Sequence, residues 1–165
     1  MNIAIYYSSI TGNTKKLAMY IKEQLGEGAS IYATQSATEL VPADLYIIAF
    51  WCRRSSLDDH SIILLEKLKN KRIIAVGTIG GDAYGAYGQR VINNVTNMIN
   101  VHNQALGVYV CQGSIDLKRS ERRLRLPDSN PHHIDMEKYQ KHVRTQGHPD
   151  SEDLLRIWNH IKSSL

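Results

Sequence analysis

The residues best suited to chemistry gather first at Ser8-Ser9-Ile10-Thr11-Gly12-Asn13-Thr14. Within it residues 9–14 combine three hydroxyls, of Ser9, Thr11 and Thr14, with one glycine and no acid. A hydroxyl can donate to a phosphate oxygen, and glycine lets the main chain come close to a ligand in torsions other residues avoid. A helical pattern begins directly afterwards, and the first N–H groups of a helix, unpaired and at the positive end of its dipole, attract an anion. The stretch therefore reads as a phosphate cradle. Thr11 or Asn13 alone would signal no more than a helix cap; the alternation over six positions after an amino-terminal strand is what points to a ligand.

The same residues argue against other phosphate chemistries. No GxxxxGK[ST] loop is present and no GxGxxG follows any strand, so nucleotide hydrolysis is not indicated. A phosphoaccepting receiver domain needs acids after its first strand to hold magnesium, and Ser8-Ser9 stand there. A low-molecular-weight phosphatase needs a cysteine followed six residues on by arginine, whereas Cys52 leads to Asp58 and Cys111 to Leu117. Neither cysteine has CxxC spacing or a clustered histidine, so free thiols and no zinc are expected. No catalytic residue or metal ligand set stands out.

The elements that must carry these residues alternate. Residues 2–7 form a short apolar run that reads as a buried strand, followed by a helix over 14–25 with Leu17, Ala18, Ile21 and Leu25 on one face. A weak strand is expected at 29–33 and a central one at 44–50, whose nearly continuous apolar run suits a strand covered on both faces. A helix over 57–69 has Asp58 and Asp59 at its start and lysines at its finish, as the helix dipole favours. A strand at 72–78, a helix over 84–100, a strand at 106–111 and a helix over 150–164 complete the series. Strands alternating with long helices imply right-handed crossovers and a doubly wound α/β, three-layer sandwich with a five-stranded parallel sheet. In such a sheet ligands sit beyond the carboxyl ends of the strands, where loops at 9–14, 50–56 and 78–88 follow the first, third and fourth strands.

At 165 residues the chain fits one domain. Residues 114–149 differ in character, rich in charged residues and histidine with few large apolar ones, and read as a charged insertion before the last helix. The start of the chain runs straight into a strand pattern with no basic leader and no apolar run long enough to cross a bilayer, which implies a cytoplasmic protein. A net charge of +4 and a pI near 9.1 attract phosphate backbones in general. No recognised nucleic-acid motif accompanies them, so nucleic acid is not an expected partner.

With these residues in place, the stretch at 9–14 is similar to the phosphate loop of flavodoxins, and the order of elements over 1–113 and 150–164 resembles theirs. The resemblance implies the flavodoxin-like strand order 2-1-3-4-5, flavin mononucleotide (FMN) as cofactor and one-electron transfer. Within the family, Ala49-Phe50-Trp51 and Gly77-Thr78-Ile79-Gly80-Gly81 most resemble a small subfamily sometimes encoded beside bilirubin-reducing flavoenzymes.

By that resemblance the loop from Phe50 through Trp51, Cys52, Arg53 and Arg54 flanks the flavin ring, with Trp51 stacked on it. A flat apolar face there desolvates the ring. The loop with Thr78, Ile79, Gly80, Gly81, Tyr84 and Gly85 would bring main chain to the pyrimidine edge, and Tyr84 or Tyr87 would cover the other face. Many flavodoxins place glycine in the first ring loop, and residues 51–56 have none. Many are also strongly acidic, whereas Arg53 and Arg54 stand here, and nearby guanidinium charge would make the second potential less negative.

The insertion carries Lys118, Arg119, Arg122, Arg123 and Arg125, then His132, His133 and His142. Such a cluster can steer an acidic partner, as a shuttle between a reductase and an acceptor flavoenzyme requires. The expected function is an FMN electron carrier between redox proteins. The alternative is an FMN oxidoreductase acting on a small molecule, a quinone or tetrapyrrole.

Overall fold

Strands β1 (Ile3–Tyr7) and β3 (Leu45–Trp51) are apolar at almost every position. Strands of this composition are stable only when both faces are covered. The computed structural model, which describes residues 1–37 and 39–165, covers them. With β2 (Ala29–Ala33), β4 (Arg72–Ile79) and β5 (Gln104–Gln112) they form one parallel sheet in the order β2-β1-β3-β4-β5. This is the doubly wound α/β order expected from the alternation and the resemblance. The register is unbroken from β1 to β4, and a single irregularity between Ile73 and Ile74 shifts the pairing with β5.

Because side chains alternate along a strand, the sheet divides the core in two. Ile5, Ile47, Ala49, Ile74 and Val76 pack with α1 (Asn13–Leu25) and α6 (Ser151–Ser164), through Leu17, Ile21, Ile157 and Ile161. Tyr6, Ile48, Phe50, Ile73 and Ala75 face the opposite way, against α2 (Asp59–Lys67) and α3 (Ala86–Asn100), through Leu65, Val91, Val95 and Ile99. Both layers are built of buried apolar side chains that hold the carboxyl edge of the sheet in place.

The helix boundaries follow from capping. Asp58 is buried and its carboxylate accepts from the His60 and Ser61 N–H groups, so α2 begins after it rather than at 57. Helix α3 begins at Ala86 rather than at Tyr84, because Gly85 is extended and the Tyr84 N–H bonds the Asp82 carboxylate instead of entering the helix. Helix α6 carries a capping box in which Asp150 and Asp153 bond each other's main-chain N–H.

The stretch 114–149 contains two further helices, α4 (Leu117–Leu124) and α5 (Met136–Arg144). Little apolar surface is available to pack them, and polar contacts join them instead: the Ser120 hydroxyl lies 2.7 Å from His142 Nδ1, both residues buried. Ile134 is buried between them in sequence and 3% exposed. Among the described residues no helix is long and apolar enough to cross a membrane.

Candidate functional site

The turn after β1 is shaped by Gly12, whose φ of 96° lies in the left-handed region that favours glycine. The Ser9 hydroxyl accepts from the Gly12 N–H at 3.1 Å and closes the turn. The first bond of α1 runs from the Lys16 N–H to the Gly12 carbonyl at 2.9 Å. The N–H groups of Asn13, Thr14 and Lys15 consequently precede the first helical partner and stand at the positive end of the dipole.

Two side chains of this turn brace it. The Thr14 and Thr78 hydroxyls lie 2.8 Å apart and buried, tying α1 to the end of β4. The Asn13 amide donates to the Ser114 carbonyl at 2.9 Å, tying α1 to the segment after β5. Ser114 in turn donates from its N–H and its hydroxyl to the His148 carbonyl, at 2.9 and 2.6 Å. Lys16 reaches the Pro149 carbonyl at 2.5 Å, so its charge is turned toward the amino end of α6 rather than the turn.

A cavity of about 270 Å³ opens beside this turn. Of the expected site residues, Ser9, Ile10, Thr11, Asn13, Thr14, Trp51, Cys52, Thr78, Ile79 and Gly80 line it. Ile10 is an exposed apolar side chain at the rim. Trp51 Nε1 is buried without a hydrogen-bond partner, as is the Ser8 hydroxyl at the end of β1. An unpaired buried donor costs free energy of the order of 1–3 kcal/mol. Burial pushes the Cys52 thiol up, against the lowering effect of the Tyr87 hydroxyl 3.6 Å away, which disfavours its thiolate.

The other expected residues are placed elsewhere. Phe50 is fully buried, its ring against Gly77 within the α2–α3 layer, because position 50 faces that layer by strand alternation. The Arg53 guanidinium pairs with the Asp59 carboxylate at the start of α2, and Arg54 follows as an exposed residue with φ of 51°. Gly81 and Tyr84 face a neighbouring cavity, and Gly85 serves as the cap of α3. The Tyr84 hydroxyl donates to Asp153 at 2.6 Å while Arg156 covers its ring at 4.4 Å, which fixes the side chain toward α6. Tyr87 packs its ring near Gly81, where a Cβ would approach it to 2.7 Å.

The remaining wall comes from residues not picked out for this role: Gly113, Ser114, Ile115, Asp116 and Arg119, in the turn after β5 and the first turns of α4. Position offered the available signal, since this turn also follows a parallel strand at its carboxyl end. By sequence Arg119 groups only with the charged cluster of 114–149. The Asp116 carboxylate caps α4 by accepting from the Lys118 N–H at 3.0 Å, which sets Arg119 one turn on toward the cavity. The donor set of serine and threonine hydroxyls, helix N–H groups and one guanidinium, facing an indole, suits a ligand with a phosphate at one end and a flat ring at the other.

Comparison with known proteins gives a consistent picture. The family model described as Flavodoxin domain matches residues 4–162. The flavodoxin-like domain-containing protein BilS of Clostridioides difficile (strain CD3) is 32% identical over 174 positions, spanning 100% of this chain and 97% of that protein. BilS of Clostridium symbiosum (strain WAL-14163) is 26% identical over 186 positions, spanning 100% and 96%. Among solved structures, oxidised flavodoxin 1 of Bacillus cereus superposes with a TM-score of 0.53 at 17% identity, covering 91% of this chain and 100% of its own. A flavoprotein of Lactobacillus acidophilus NCFM in complex with FMN gives a TM-score of 0.54 at 13% identity, covering 66% and 92%. At these identities the solved structures speak to the fold alone.

Proposed function

The chain belongs to the flavodoxin domain family, and on that premise we propose that it binds FMN in the cavity beside residues 9–14 and passes electrons between a reductase and an acceptor redox enzyme. The observation that carries this reading is a cavity lined by Trp51 and bounded by a helix start rich in hydroxyls, at Ser9, Thr11 and Thr14. FMN supplies one-electron chemistry at the edge of its ring when bound.

The residues of this chain divide the work of holding it. The turn at 9–14 receives the phosphate through main-chain N–H groups and the Thr11 hydroxyl, with Thr14 committed to bracing Thr78. Arg119 adds charge at the same cavity. Trp51 offers an apolar face that excludes water, and Gly80 leaves its main chain accessible to a ring edge. Electron transfer requires no general acid, general base or nucleophile. A second reading, an FMN oxidoreductase acting on a quinone or tetrapyrrole, is favoured by the second cavity that shares Gly80 with the first.

Titration of the purified protein with FMN and with riboflavin tests the binding. Saturable quenching of flavin fluorescence is expected, weaker for riboflavin because it lacks the phosphate; no saturation with FMN overturns the reading. Anaerobic stopped-flow of the reduced, FMN-loaded protein separates the roles, with rapid exchange with a ferredoxin-type reductase and slow reaction with quinones expected for a carrier.

A further inference from the structure

Beyond the β4–α3 connection lies a second cavity, of about 440 Å³, within the range of small-molecule sites. Gly81 and Tyr84 bound it on one side, and Lys138, Lys141 and Arg144 of α5 stand with His148 on the other. Residues 138, 141 and 144 follow at three-residue steps, which at the rise of a helix spreads their charges over roughly 9 Å along its axis. Asp82 is the single acid among the described residues lining the cavity. Lys141 reaches Glu137 at 3.7 Å through an exposed pair of little strength, and no acid pairs with Lys138 or Arg144 among the described residues.

His148 is set in place from behind. Its Nδ1 lies 2.6 Å from Asp153 Oδ2, and Asp153 is 4% exposed. Burial pushes the Asp153 carboxyl up, but hydrogen bonds from Tyr84, His148 and the Asp150 N–H together hold it below the usual carboxylate range. Nδ1 faces a carboxylate oxygen, which accepts, and Nε2 is left free of hydrogen bonds to described residues. His148, Asp150 and Asp153 offer atoms within 4.8 Å of one another. Both Asp153 oxygens accept hydrogen bonds, so the group orients His148.

We propose that this cavity binds a small organic anion carrying two or more carboxylates, held by Lys138, Lys141 and Arg144, with His148 Nε2 as a fixed polar contact. A single phosphate is too compact to meet cations spread along two turns of α5, whereas carboxylates on a common frame match them. The wall shared at Gly80 sets the anion beside the first cavity. That it thereby lies next to a flavin rests on the FMN reading; the binding itself does not.

Trimesate, a flat tricarboxylate, tests the site by calorimetry and amide chemical shifts on flavin-free and FMN-loaded protein at constant ionic strength. Saturable single-site binding is expected, with shifts at residues 80–84 and 138–148 and none for the neutral triamide. The exposed double substitution Lys138→Gln, Arg144→Gln should weaken trimesate about tenfold or more and leave FMN affinity unchanged, which also reports that the variant is folded. His148→Gln should weaken it less. Absence of saturable binding, equal binding to the double variant, or shifts confined to residues 9–14 overturns the proposal, as does capture of a glutamate-rich peptide without trimesate. Failure of FMN to bind while trimesate still does would overturn the FMN reading alone.

Discussion

The hydroxyls of Thr14 and Thr78 lie 2.8 Å apart with both residues buried, one at the start of α1 and the other near the end of β4. This contact sets the turn at 9–14 against the end of β4 and engages the Thr14 hydroxyl within the protein. Thr14→Val leaves Thr78 buried without a partner and should destabilise the flavin-free protein by about 1–3 kcal/mol. Replacing both threonines by valine should cost less than the sum of the single changes. Urea unfolding of the four proteins of this double-mutant cycle measures the coupling, and strictly additive costs would deny the contact a bracing role.

Gly77 is required by packing. A Cβ there would stand 2.4 Å from the Phe50 ring, so Gly77→Ala should cost about 1–3 kcal/mol through overpacking. Phe50→Leu in the same chain should return part of that loss by vacating the space. Thermal unfolding of the single and double variants checks it, and no recovery in the double variant would place the strain elsewhere.

Cationic influence on the flavin cavity should come from α4. Arg119 lines the cavity, while the Arg53 guanidinium is paired with Asp59 at the start of α2. Arg119→Gln should weaken FMN about tenfold, near 1.4 kcal/mol, and make the second reduction potential more negative. The joint change Arg53→Gln, Arg54→Gln should move both quantities less. Fluorescence titration and potentiometry decide the order, which the opposite ranking would reverse.

His142 couples the helix pair α4–α5 to pH. Burial, with Lys138 and Arg123 nearby, holds its imidazole below the usual range, and its Nδ1 lies 2.7 Å from the Ser120 hydroxyl. As pH falls the unfolded chain takes up the proton first, so stability rises with pH in this window. The contribution is complete above about 6.5 and is lost between there and the lower folded value. His142→Gln should reduce the fall in Tm between about pH 7.5 and about pH 5. An unchanged fall in Tm would assign the pH dependence to other groups.

The strand and helix pattern was legible because it is written locally. Ile3 to Tyr7, Leu45 to Trp51 and Arg72 to Ile79 are apolar enough that only a sheet covered on both faces can hold them, and β2 fell where the weak signal at 29–33 stood. The turn at Gly12 and the hydroxyls around it were likewise local, because a helix start, its unpaired N–H groups and a glycine torsion involve only neighbours in the chain. Helix ends shifted by a few residues where a side chain reached back to the main chain, as Asp58 and Asp82 do.

What the sequence alone determined is thus the sheet, its crossovers and a glycine-shaped, hydroxyl-rich turn at the end of β1, since periodicity and capping depend on residues a few positions apart. Which side chains enter the cavity was decided only by tertiary structure. Strand alternation sent Phe50 into the core against Gly77, a carboxylate 69 positions away drew Tyr84 to α6, and α4 of the charged stretch 114–149 supplied Arg119. These outcomes depend on contacts between segments remote in the chain, whose free energies no local pattern records.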